Sequence, residues 1–246
     1  MKASASAAAK VVDEGAAVRA AVAATTKTTA RVDGTVQTGG GGMTFTVALH
    51  GAFDWPGAKG RLRAGLYQGT ASDKGKEGPH LDEIFADDTV YLGGFPEQHG
   101  TWGSIRRGEA EAHYPLRAPM NDPDHVLRQI ARMRHTSKVG QETVGGAPAT
   151  HYRGVLDADA VKLRMAQTAR AKLSQIQEML GELSVPADVW VDGSGRVVRT
   201  RLTLDMAGAG STATMNLSGF GKPVEAHAPD PGKVTPMPQA GGPLPG

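Results

Sequence analysis

The chain has 246 residues, enough for one large domain with a substantial apolar core, and its 39% hydrophobic and 21% charged residues fit a folded, water-exposed protein. A net charge of +2 with scattered basic residues, and an aromatic content of 5%, argue against a nucleic-acid stripe or base-stacking platform. The lack of cysteine removes disulfides, thiolate metal sites and cysteine nucleophiles.

No apolar run reaches the roughly 18 residues a membrane span needs. The Ala-rich start is broken by Lys10, Asp13, Glu14 and Arg19. It reads as what remains after a signal peptide has been removed. Residues 1–8 are low in complexity and are expected to form a disordered linker, residues 9–228 a single domain, and residues 229–246 a disordered Pro/Gly-rich tail.

Val11, Val12, Gly15, Val18 and Val22 recur at helical spacing and predict a first helix over 9–24. Strands are expected over 31–38 and 43–53, around a four-glycine tip, and again over 60–67. Residues 69–80 are polar and Gly-rich, hence loop. Short strands over 81–86 and 89–92 bracket Asp87-Asp88, and 102–106 adds another.

Asp122-Pro123 has the form of an N-cap followed by proline at the first helical position, with Val126, Leu127, Ile130 and Met133 as the apolar stripe of a second helix. A hairpin over 138–156 turns at Gly145-Gly146. A long third helix is expected over 159–183, ended by Pro186. Strands over 187–191, 196–206 and 211–219 complete the ordered part. Seven of the 15 prolines lie between Pro223 and Pro245, which predicts an extended or disordered tail that contributes little to stability.

About ten strands joined by hairpins, each apolar on one face, imply an α+β fold: a curved antiparallel half-barrel sheet with the helices on its concave face. Periodicity alone leaves open whether the space between is a dry core or a cavity. Few aromatics are available to fill it, and methionines are an adaptable lining. The candidate lining is Phe45, Val47, Leu49, Leu62, Leu66, Leu127, Ile130, Met133, Leu173, Ile176, Leu180, Leu202, Leu204, Met206 and Met215. Arg128 and Arg132 are candidate contacts for anionic lipid headgroups, against the simpler reading of a solvated helix face.

Three segments carry a family likeness: the hairpin from Gly145 to Gly154, the strand-turn-strand Val189-Trp190-Val191-Asp192-Gly193-Ser194-Gly195-Arg196-Val197, and the ending Phe220-Gly221-Lys222-Pro223-Val224. Their order and spacing resemble actinobacterial envelope lipoproteins of the LppX and LprG type, within the LolA/LolB-like superfamily. The resemblance implies a membrane-anchored extracytoplasmic protein that binds, and carries, a diacylated lipid or glycolipid by its acyl chains. It also implies an N-terminal acylated cysteine, which this sequence lacks. The alternative within the same superfamily is an RseB-like sensor with an envelope protein as partner.

Catalytic and metal readings are weaker. Glu109, Glu111 and His113 alternate as ligands on a strand would, but no fourth ligand lies nearby and a solvated edge is the simpler reading. Asp87 and Asp88 suit a turn better than paired acid chemistry. No nucleophile elbow, phosphate loop or dinucleotide fingerprint is present, so neither an enzyme nor a cofactor is expected.

Overall fold

The computed structural model describes residues 13–69, 79–94, 100–206 and 209–246, with Leu180, Met206 and Ala209 described by backbone alone. The expected linker over 1–8, the start of the first helix and most of the loop over 69–80 lie outside the described residues.

Helix α1 (Glu14–Thr25) is capped by Asp13, whose carboxylate accepts from the Ala16 N–H at 3.0 Å. Its inward face is Val18, Ala21 and Val22, and the buried Thr25 hydroxyl at its end accepts from Val197 N–H at 2.8 Å, fixing the helix to the sheet. The strands that follow are β1 (Thr29–Gly40), β2 (Met43–Asp54), β3 (Lys59–Gln68), β4 (His80–Ala86), β5 (Thr89–Gly93) and β6 (Trp102–Arg106). Later come β7 (Arg134–Val144), β8 (Ala147–Leu156), β9 (Val185–Asp192), β10 (Val197–Met206), β11 (Ala209–Ser218) and β12 (Val234–Pro236).

These twelve strands form one sheet in the order β12-β6-β5-β4-β3-β2-β1-β11-β10-β9-β8-β7. Every neighbouring pair is antiparallel except β12 with β6. Its edge strands do not pair with each other, so the curved sheet stays open. Three of the hairpins turn on two residues of positive φ: Gly41-Gly42, Asp87-Asp88 and Gly145-Gly146, all between 50° and 84°. That geometry matches the right-handed twist of the flanking strands, and it explains Asp87 and Asp88 as turn residues.

Helix α2 (Pro123–Ile130) has the expected cap, Asp122 accepting from Asp124 N–H at 3.0 Å, and buries Leu127 and Ile130. The long helix expected over 159–183 is instead broken into α3 (Ala158–Val161) and α4 (Gln167–Leu180). The break has a physical cause. Ala112 N–H donates to Arg164 carbonyl and Ala166 N–H to Ala112 carbonyl, both at 2.8 Å, drawing the intervening backbone out of the helix, and Arg164 takes a positive φ of 51°. Helix α4 then packs by Leu173, with Ile176 half-buried.

Inward residues of the helices and strands merge into one core, from Val18 through Phe53, Leu62, Leu127 and Leu173 to Val197 and Leu217. A loop over 107–122 is bound across this core by a buried ion pair. Arg107 donates to both carboxylate oxygens of Asp122, at 2.8 and 2.9 Å, and its guanidinium lies over the Phe53 and Phe85 rings.

Residues 229–246 differ from the expectation of a disordered tail. The chain places Ala226 against Ile84 and Ala86 on the outer face, runs as β12 along the β6 edge, and continues inward to bury Ala240 and Leu244. Prolines retain their carbonyls, so an extended proline-rich segment can still accept hydrogen bonds, and a parallel edge strand tolerates proline. Met120 N–H donates to Pro245 carbonyl at 2.7 Å, and Met237 N–H to Ser104 carbonyl at 2.7 Å.

Candidate functional site

The end of the sheet near the β1–β2 hairpin tip and the start of β11 is not filled by the described residues. Val36, Val47, Leu66 and Leu204 project from β1, β2, β3 and β10 into an apolar cavity of about 480 Å³, closed opposite by Tyr114, Pro115, Arg117 and Pro243. Phe45, Thr38 and Tyr114 stand exposed at its mouth, while Val36, Val47, Leu204 and Arg117 are buried. A second, smaller space of about 40 Å³ is lined among others by Leu49, Val126, Leu202 and Met215, and Val36 and Arg117 line both.

Arg117 is the charged residue that lines this surface. It is 7% exposed and donates to Pro243 and Leu244 carbonyls and, at 2.7 Å, to Asn121 Oδ1. Asn121 in turn donates to Glu83 Oε1 at 2.8 Å and to Leu244 carbonyl at 2.6 Å. Burial pushes the Glu83 carboxyl well above the usual carboxylate range, against the opposing pull of Asn121 and Arg117, and burial lowers Arg117 to about 10. Around them Leu116, Met120 and Asn121 all hold positive φ, between 50° and 60°. Non-glycine residues in that region store strain of the kind found at binding sites.

A cavity lined by an open, curved antiparallel sheet gains its context from known proteins. The family model described as LppX_LprAFG lipoprotein matches residues 74–226. The chain belongs to the LppX/LprAFG lipoprotein family. Membership makes it an extracytoplasmic, membrane-associated protein. No helix among the described residues is long and apolar enough to cross a membrane.

Among solved structures, LprF from Mycobacterium bovis is similar at a TM-score of 0.53 and 14% identity, covering 87% of this chain and 96% of that one. Mycobacterium tuberculosis lipoprotein LppX is similar at 0.50 and 17%, covering 88% and 100%. At these identities the likeness concerns the fold. An uncharacterised 31.2 kDa protein of Streptomyces griseus is 27% identical over 110 residues, which is 44% of this chain and 36% of that protein.

Within this lipoprotein fold, the residues singled out from sequence separate into three groups. Phe45, Val47, Leu66 and Leu204 line the larger cavity, and Leu49, Leu202 and Met215 the smaller space. Leu62, Leu127, Ile130, Met133 and Leu173 are filled core, and Ile176 is half-buried on α4 without lining either space. The side chains of Leu180 and Met206 lie outside the described residues.

Arg128 and Arg132 do not line the cavity. Arg128 pairs with Asp124 at 2.7 Å on the exposed side of α2, and Arg132 lines a separate polar groove with Arg19 and Asp157. Arg117 is the basic residue that sequence reasoning missed. Its one local signal is a lone cation in Pro115-Leu116-Arg117-Ala118-Pro119, an otherwise apolar run. Glu109 and Glu111 are exposed, and no group of three or more metal-ligating side chains assembles among the described residues.

Proposed function

We propose that this lipoprotein binds the acyl chains of an envelope lipid or glycolipid in the cavity near its β1–β2 hairpin tip, and carries that lipid between membrane and acceptor. The observation that supports the reading is the cavity itself: about 480 Å³ of largely apolar space, within the roughly 300–1,000 Å³ of ligand sites, open at a rim where Phe45 and Tyr114 are each 43% exposed. Exposed large apolar groups around a concave apolar surface suit a lipid entering from a bilayer.

The energetics are sufficient. Each methylene moved from water contributes roughly 0.8 kcal/mol, so about ten of them supply on the order of 8 kcal/mol, near micromolar affinity before ordering costs.

The test is a substitution that fills the space. Leu204→Trp projects an indole into the cavity and should abolish uptake of a fluorescent acyl lipid while lowering stability by less than about 1 kcal/mol, because the volume is empty. A parent protein that takes up no acyl lipid, together with a Leu204→Trp penalty of about 1–3 kcal/mol as in a packed core, would defeat the reading.

A further inference from the structure

We infer that the cavity takes an acyl ligand ending in an anion, a carboxylate or a phosphate, and that Arg117 holds it; this rests on the lipid-binding reading above and names the class of lipid.

A cation removed from water needs an acid partner or a dense set of acceptors. Arg107 meets the first requirement: Asp122 takes both ends of its fork, and two phenylalanine rings cover its face. Arg117 is more completely buried in an apolar wall, yet its three hydrogen bonds all go to neutral oxygens, those of Pro243, Leu244 and Asn121. No carboxylate is in ion-pair contact with it among the described residues.

The acid that could neutralise it stands one residue further off. Glu83 is reached only through Asn121, and its burial favours the neutral carboxyl. Arg117 keeps its charge at neutral pH. The result is a buried cation with no direct carboxylate contact that lines two apolar spaces, the arrangement that would recognise an amphiphile by both of its parts.

Two of the three acceptors on Arg117 belong to the last residues of the chain. A bond from a guanidinium to an anionic oxygen is roughly twice as strong as one to a neutral carbonyl. An arriving anion would therefore displace the Pro243 and Leu244 carbonyls, and loading would loosen the end of the tail.

The experiment compares matched ligands that differ in charge alone. Binding of oleate and methyl oleate, and of dioleoyl phosphatidic acid and dioleoylglycerol, is measured at neutral pH on the full chain and on Arg117→Met. The full chain should bind the anion of at least one pair tenfold or more tighter than its neutral counterpart, and the pair that discriminates tells a carboxylate from a phosphate. Arg117→Met should bind both members alike.

Equal binding of acid and neutral partner in both pairs would overturn the inference, as would a preference that survives in Arg117→Met. If that variant does not fold, Arg117→Gln takes its place, where a lost or reduced preference supports the assignment and an unchanged one overturns it. Failure of all four ligands to bind would instead defeat the lipid-binding reading on which this inference rests.

Discussion

Phe53 and Phe45 sit on the same face of β2, eight positions apart, and meet opposite fates. Phe53 is fully buried, edge-on to Trp55 at 5.2 Å and to Phe85 at 5.4 Å, and roofed by the Arg107 guanidinium. Phe45 is 43% exposed at the mouth of the cavity. Strand alternation sends both rings to one side of the sheet. What covers that side decides whether the result is core or cavity: the loop over 107–122 is clamped down at Phe53 by the Arg107–Asp122 pair, and among the described residues nothing equivalent seals the sheet at Phe45.

That contrast is sharpest when both rings are removed. Phe53→Ala should cost about 3–5 kcal/mol of unfolding free energy, the range for a large aromatic deleted from a packed core. Phe45→Ala should change stability by no more than about 0.5 kcal/mol, as for an exposed position, while weakening uptake of a fluorescent acyl lipid. Similar stability losses at the two sites in urea unfolding would show that the sheet end is packed, and the distinction between core and cavity would fail.

Much of the fold was legible because alternation and turn chemistry are local. The hairpins at Gly41-Gly42, Asp87-Asp88 and Gly145-Gly146 and the Asp122-Pro123 helix start follow from residues close in sequence. The break between α3 and α4 was not legible, because it depends on Ala112 pairing with the backbone beside Met165, distant in the chain. The sheet side of the cavity was readable for the same reason as the strands. Leu127 and Ile130 looked the same as Val47 in periodicity, but they are core, since a pattern reports which face is apolar and not what fills the space above it. Arg117 was invisible as a site residue: its partners Pro243 and Leu244 come from a tail whose composition argued for disorder.

The tail supplies the next test of the same contrast, because it approaches the cavity with Pro243 and the core with Ala240 and Leu244. Deleting residues 231–246 removes β12, re-exposes the surface that Leu244 covers and leaves Arg117 without two acceptors. Burial of one leucine is worth about 1.5–3 kcal/mol, and stranding a buried donor costs about 1–3 kcal/mol, so a loss of about 3 kcal/mol is expected after partial relaxation. In a thermal melt this should appear as a drop of several degrees. An unchanged melting temperature would mean that the tail only rests on the body.

The smallest expected effect probes the filled end through proton linkage. His125 on α2 is 2% exposed, and neither ring nitrogen has a hydrogen-bond partner among the described residues. Burial lowers its pKa from 6.5 to about 4, opposed by Asp122 and assisted by Arg164, Arg128 and Arg132. The folded value lies below the unfolded one, so the unfolded chain takes up the proton first, and this stabilising term is lost as pH falls from about 6.5 toward 4. Between pH 7 and pH 5 the loss from this one group should be about 2 kcal/mol. Glu83 works the other way, because its raised folded value favours the native state as pH falls, so raw stability at two pH values mixes the signs. The discriminating quantity is the pH 7 minus pH 5 difference in the parent protein minus the same difference in His125→Leu, a side chain of similar bulk that cannot titrate. A value near 2 kcal/mol places an uncharged imidazole in a dry core at this end of the sheet, whereas a value near zero would mean that water reaches His125 and that the filled end is no drier than the cavity end.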